Sequence, residues 1–171
     1  RAAGSATYPS HFQLVAAMNP CKCGYYGHPT RACTCSPSAV RQYRSRVSGP
    51  LLDRIDLHVE ALPVEYDDLA SEQGGESSAD VRARVMAARA LQRERYKALP
   101  SVRCNAQLPS SALRRYCRMT PAAEKILRSA FERLGYSARA YDRILRVART
   151  VADLDGSEVL DTAHLSETLQ Y

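Results

Sequence analysis

Apolar and polar positions change rhythm along this chain. QLVAAM (13–18) is a short unbroken apolar run, the pattern of a strand covered on both faces. IDLHVE (55–60) alternates instead, with Ile55, Leu57 and Val59 opposite Asp56, His58 and Glu60, as in a half-buried strand. Between them SPSAVRQYRSRV predicts a helix with Ser36 as its cap, Pro37 in its first position, and Val40, Tyr43 and Val47 at helical spacing. ASEQGGESS (70–78) is polar and rich in Gly and Ser, and reads as a linker.

Beyond it every pattern is helical. Ser77 and Asp80 open a helix to about Leu99, with Val81, Val85, Ala88 and Gln92 on one face. A shorter helix is predicted over Ser110–Arg118. Thr120-Pro121 starts another, with Leu127, Ala130, Phe131 and Leu134 inward and Gly135 as its stop. Ser137 caps a helix carrying an apolar face of Ile144, Leu145, Ala148, Val151 and Ala152, which ends at Gly156. A last helix runs from near Asp161 to the end. The predicted fold class is therefore α/β for residues 1–66, a linker over 67–78, and an all-α bundle of four or five helices over 79–171.

Composition adds limits. At 171 residues, 45% apolar and 25% charged, the chain suits one domain or two small ones. No run of eighteen apolar residues occurs, so no membrane span is expected. The start lacks both an initiator Met and a secretory apolar region, so a piece of a longer, cytoplasmic protein is expected. From Ala79 onward 17 basic residues face 10 acidic ones, whereas residues 1–78 carry 7 and 8. That excess suits a polyanionic partner, or equally a solvated helical surface.

CKCGYYGHPTRACTC (21–35) holds four of the six cysteines. Cys21, Cys23, Cys33 and Cys35 form two close pairs around a Gly/Pro-containing reversal, a donor set for structural Zn²⁺. One intervening residue within each pair is tighter than the usual two to four, so His28 is a candidate ligand in place of one cysteine. Reduced, unliganded thiols are the alternative. Cys104 and Cys117 read as small apolar packing residues.

Three polar positions stand at the ends of elements. Asn19 follows the first predicted strand, where a carboxamide can hold a water or phosphate oxygen; an Asn-Pro turn is the commoner explanation. Arg54 precedes the second strand, placed either for a phosphate on a neighbouring subunit or for an ion pair with Asp53 or Asp56. Arg139, Arg143 and Arg146 line one edge of a helix, and Arg139 lies nearest the N-terminus, where the helix dipole favours an anion.

LVAAMNPCKCGYYGHP, CTCSPSAVRQYRSRVSGPLLDRIDLHVE and SARAYDRILRVARTVADLDG, in that order, closely resemble the C-terminal portion of the magnesium-chelatase-like AAA+ ATPases of the ComM/YifB group. The resemblance implies an AAA+ core remnant, with an incomplete parallel sheet, followed by a helical lid. It implies that Asn19 is a sensor-1 residue, that Arg54 in LLDRID is the arginine finger, and that Arg139 is sensor 2, with Arg143 beside it at the nucleotide. It also implies a homo-hexameric ring using ATP and Mg²⁺, and branch migration on DNA in natural transformation. No G-x-x-x-x-G-K-[ST] loop is present in these residues. The resemblance places that loop upstream, so the isolated segment is expected to be monomeric and without ATPase turnover, with residues 1–66 partly disordered or rearranged. Two other readings stand beside it. One is the ATPase subunit of a magnesium chelatase, against which the cysteine insertion speaks. The other is a zinc-containing adaptor for nucleic acid or protein.

Overall fold

The structure, a computed structural model, describes residues 4–6, 8, 12–64, 66, 70 and 75–171. Most of the expected linker, 67–69 and 71–74, lies outside them. The chain divides into two compact units, Arg1–Ser48 and Gly49–Tyr171.

In the first unit α1 spans Pro37–Arg44, and the Ser36 side chain accepts the Ala39 N–H, as a β-region cap followed by proline dictates. Val40 is its buried residue, and Tyr43 is half-buried. The helix ends before Val47, where the Arg46 and Val47 N–H groups bond only three residues back, to Tyr43 and Arg44, in a tightened last turn.

The expected strands are not formed. Among the described residues there is no sheet, and the one bridge joins Met119 to Leu160. Leu14, Val15 and Met18 are exposed, as are Leu57 and Val59. An apolar run becomes a buried strand only when neighbouring strands take up its N–H and C=O groups. No described segment offers 13–18 that ladder. The 55–60 segment forms no ladder and is held to the rest of the second unit by two contacts. The His58 N–H donates to the Tyr171 carbonyl at 3.2 Å, and Arg143 reaches the Ile55 carbonyl. Both contacts lie within the compact unit that begins at Gly49.

The second unit begins with a single turn, α2 (Gly49–Leu52), and its core is helical. α3 spans Ser78–Arg95 with Ser77 capping Asp80, and stops four residues short of Leu99 as Tyr96 leaves the helical region. Its predicted face is packed only in the C-terminal half: Ala88 and Gln92 are buried, Val81 and Val85 exposed. A 3₁₀ turn at Asn105–Gln107 leads to α4 (Ser110–Tyr116). α5 spans Pro121–Leu134, with Thr120 as its cap and Gly135 at φ +62° as its left-handed stop. Leu127 is inward as expected, but Leu134 is 63% exposed and Ala123 takes the buried place. α6 (Ala138–Leu154) is the central element and buries Ile144, Leu145, Ala148 and Ala152. α7 (Thr162–Thr168) starts from an Asp161–His164 capping box and buries Leu165 against α6. Thr120 and Leu160 tie the entries of α5 and α7 together, the Thr120 N–H donating to Leu160 and the Leu160 N–H to Arg118.

α6 also buries two charges that its apolar pattern conceals, Arg149 at 0% and Asp153 at 2% exposure. Asp153 accepts from both terminal nitrogens of Arg95, Nη1 and Nη2, from Arg149 Nε at 3.1 Å and from Asn105 Nδ2 at 2.8 Å. Arg149 donates its remaining groups to the Glu158 and Ser157 carbonyls. Tyr96 Oη donates to Asn105 Oδ1 at 2.6 Å. Every member is satisfied, which is the condition for a buried ionic network to be tolerated.

Candidate metal centre and anion-binding arginines

The cysteine loop closes on itself. Gly24, at φ +83°, permits the turn in which its N–H donates to the Cys21 carbonyl at 3.1 Å. The reversal brings Cys21, Cys23, Cys33 and Cys35 together, with all four Sγ atoms within 4.8 Å of one another. Individual separations are 3.3 Å for Cys21–Cys23, 3.7 Å for Cys21–Cys33 and 3.5 Å for Cys23–Cys33. A tetrahedral ion with zinc–thiolate bonds of about 2.3 Å would set its sulfurs about 3.8 Å apart, so the donor set fits such a metal.

The tight C-x-C spacing therefore needs no histidine. His28 lies outside the four-sulfur group: its Nδ1 accepts the Thr30 and Arg31 N–H groups, each at 3.2 Å. It orders the loop between the pairs.

Protonation in the cluster is divided. The Tyr25 N–H, and after it the Cys21 thiol, lower Cys23 to about 5. Burial and the contact with Cys23 act to raise Cys21, but backbone N–H groups of Tyr26 and Cys23 and the Cys33 thiol hold it below the usual thiol value. The Cys35 N–H acts to lower Cys33, yet burial and the Cys23 and Cys21 sulfurs push it up to about 12. Cys35 ends raised too, against the Cys23 N–H, through the Cys23 and Cys21 sulfurs and burial. Four neighbouring thiolates repel one another, and without a cation some must keep their protons. Cys117 is buried, and burial pushes its thiol up to about 11, as expected of a packing residue.

The remaining candidates are distributed over both units. Asn19 is exposed in the first. Arg54, Arg139 and Arg143 belong to the second. Arg54 is exposed and donates Nη1 to the Pro50 carbonyl; among the described residues it pairs with neither Asp53 nor Asp56. Arg139 is exposed in the first turn of α6, just after the Ser137 cap, where main-chain N–H groups face outward. Arg143 is half-buried and donates Nη1 to the Ile55 carbonyl at 3.0 Å. Arg146 is drawn inward, its Nε bonded to the Leu108 carbonyl at 2.9 Å.

The residues of the buried network escaped sequence reasoning, although the four-residue spacing of Arg149 and Asp153 is a signal. So did two cation–π pairs beside the cysteines, Arg31 over Tyr25 and Arg44 over Tyr26. No helix among the described residues is long and apolar enough to cross a membrane.

Two family models match the chain. "Magnesium chelatase, subunit ChlI" covers residues 1–69, and "Magnesium chelatase, subunit ChlI C-terminal" covers 75–171. The chain is 42% identical over its whole length to the uncharacterized protein YifB of Escherichia coli, and 40% identical to the competence protein ComM of Haemophilus influenzae. It covers 33% and 32% of those proteins, about a third of their length. An uncharacterized protein of Mycobacterium tuberculosis is 40% identical over 90% of the chain and is covered to 30%. Together with the cysteine loop and the arginines of LLDRID and SARAYDR, these matches mean that the chain belongs to the magnesium-chelatase-like family of YifB and ComM.

Proposed function

We propose that this chain is the sensor, arginine-finger and lid portion of an ATP-driven AAA+ motor that remodels DNA. Arg54 reaches the nucleotide of the adjoining protomer in a homo-hexameric ring. Arg139 addresses phosphate from the chain's own side, and Asn19 has the separate role of the sensor-1 carboxamide. Phosphoryl transfer asks mainly for positioning and charge neutralisation, which guanidinium groups provide. ATP and Mg²⁺ would be bound by the whole protein, and the four cysteines hold a structural Zn²⁺ that fixes the loop after Asn19. One relative is by name a competence protein, which supports a role in competence; DNA as the substrate is part of the proposal.

One contrast carries the reading. Along α6, Arg143, Arg146 and Arg149 are each spent on internal carbonyls, whereas Arg139 is exposed and outside any ion pair among the described residues. Arg54 is likewise exposed, with one Nη1 contact within its own turn. Guanidinium groups left in this way suit a ligand supplied from elsewhere.

A second reading, a magnesium-chelatase ATPase subunit, draws on the descriptions of the matching families. The experiment is ATP turnover by the intact protein with and without DNA. Stimulation by DNA, with binding that weakens steeply as salt rises, is expected of the motor. Turnover indifferent to DNA favours the chelatase subunit.

A further inference from the structure

The surplus of positive charge in the second half masks a sharper asymmetry. Residues 1–52 contain Arg1, Lys22, Arg31, Arg41, Arg44 and Arg46 and no acidic residue at all; the first is Asp53. Five of those six cations fall between Lys22 and Arg46, on the cysteine loop and the helix that follows it. All five are exposed.

Aromatic rings are interleaved with them. The Arg31 guanidinium lies 5.2 Å from the centre of the Tyr25 ring and donates Nη1 to Tyr25 Oη at 2.8 Å. Arg44, in the last turn of α1, lies 5.5 Å from the centre of the Tyr26 ring, joining the helix to the loop. Tyr26 is 46% exposed. His28 packs edge-on against Tyr25 at 5.6 Å, and its Nδ1 holds the Arg31 N–H. The Gly24 turn thus gathers four sulfurs on the inside of the loop, and these pairs brace it from outside. A guanidinium held beside a tyrosine ring keeps its full charge, so these pairs position Arg31 and Arg44 without neutralising them.

We propose that this cysteine loop and α1 form a binding surface for single-stranded nucleic acid, with Lys22, Arg31, Arg41 and Arg44 on phosphates and Tyr26 as a stacking platform for a base. Single strands fit because their unpaired bases expose π-faces to tyrosine and arginine, while their backbone asks for closely spaced cations. A paired duplex hides those faces. The inference rests on the DNA-motor reading for the choice of DNA over RNA, and it adds the place of contact and the form of the strand.

The test uses the intact protein and a fluorescein-labelled thirty-nucleotide oligothymidylate, with binding followed by anisotropy over a range of NaCl concentrations. The paired substitution of Arg31→Ala with Arg44→Ala is expected to weaken binding at least about tenfold and to flatten the slope of log K against log salt by about 1.4, near 0.7 for each lost phosphate contact. Tyr26→Ala is expected to weaken it roughly fivefold or more at unchanged slope. Lys22→Glu, at an exposed position apart from the Arg–Tyr pairs, is expected to weaken binding even if the paired variant disturbs the loop. Affinity and slope unchanged in Lys22→Glu and Tyr26→Ala would overturn the proposal. So would equal binding to phosphatidylserine vesicles or to the duplex of the same strand, since either marks indiscriminate polyanion adhesion. Tighter binding of oligouridylate than of oligothymidylate would keep the surface and correct the choice of DNA. The two readings fail separately: DNA-stimulated turnover that survives these substitutions overturns the surface alone, while tight strand binding without stimulation overturns the motor alone.

Discussion

The Arg143 guanidinium donates to the main-chain carbonyl of Ile55 at 3.0 Å, so the helix that begins beside Arg139 is fastened to the residue directly after Arg54. The bond spans 88 positions of sequence and joins the two segments on which the candidate phosphate-binding arginines ride. Arg143 therefore acts as a positioning group between them.

Arg143→Ala should cost about 1 kcal/mol of stability in the helical unit, the scale of one hydrogen bond from a partly exposed donor. Denaturant unfolding measures it. In the intact protein the same change should reduce ATP turnover more than nucleotide affinity, because it loosens the finger segment without removing a finger. Unchanged stability and unchanged turnover would show that the contact is idle.

The buried network should respond asymmetrically. Asp153→Ala leaves Arg149, fully buried, without its carboxylate, and is expected to cost about 3–5 kcal/mol. Arg149→Met keeps Asp153 paired with Arg95 and mainly deprives the Ser157 and Glu158 carbonyls of donors, for about 1–3 kcal/mol. Chemical unfolding of the two variants gives the order, and equal costs would contradict the arrangement.

The cysteine group should bind one Zn²⁺ and release protons as it does so. Cys33, raised to about 12, and Cys35, also raised, hold their protons at neutral pH in the metal-free protein, whereas Cys23, near 5, is already a thiolate. Metal binding needs the thiolate form, so affinity must rise with pH, by about two powers of ten per pH unit near neutrality if two protons leave. Calorimetric titration in buffers of different ionisation enthalpy counts those protons. Cys33→Ser should abolish stoichiometric binding, while His28→Ala should retain it. Loss of the metal in His28→Ala would restore the histidine as a ligand.

Amide exchange should divide the chain sharply. Ile144–Val151 lies in the helix at the centre of the core and should exchange slowly, whereas Leu14–Met18, exposed and outside any helix or ladder, should exchange fast. Equal protection would mean that 13–18 has found a strand partner.

These contrasts also mark what the residue pattern reveals. Caps are local, so Ser36, Ser77, Thr120 and Ser137 were legible, and each accepts the N–H three residues on. The apolar face of α6 was legible for the same reason, since a period of 3.6 depends on no distant partner. The four cysteines were legible as a group because their own loop closes them. His28 was not, because its choice between metal and backbone is made by the turn at Thr30 and Arg31. Strands at 13–18 and 55–60 read correctly as apolar patterns but not as structure, since a ladder requires neighbours that the pattern does not contain. Nothing in the local pattern marks Arg149 and Asp153 as buried, because Arg95, which pairs with Asp153, lies 58 positions from it.

The most direct test of the account is the rate of ATP turnover by the intact protein carrying Arg54→Ala, measured with nucleotide binding on the same preparation. A fall of roughly 10³-fold with nucleotide affinity retained is the predicted result, the scale of an arginine acting on a phosphate held by a neighbouring subunit. Turnover equal to that of the unaltered protein would contradict it.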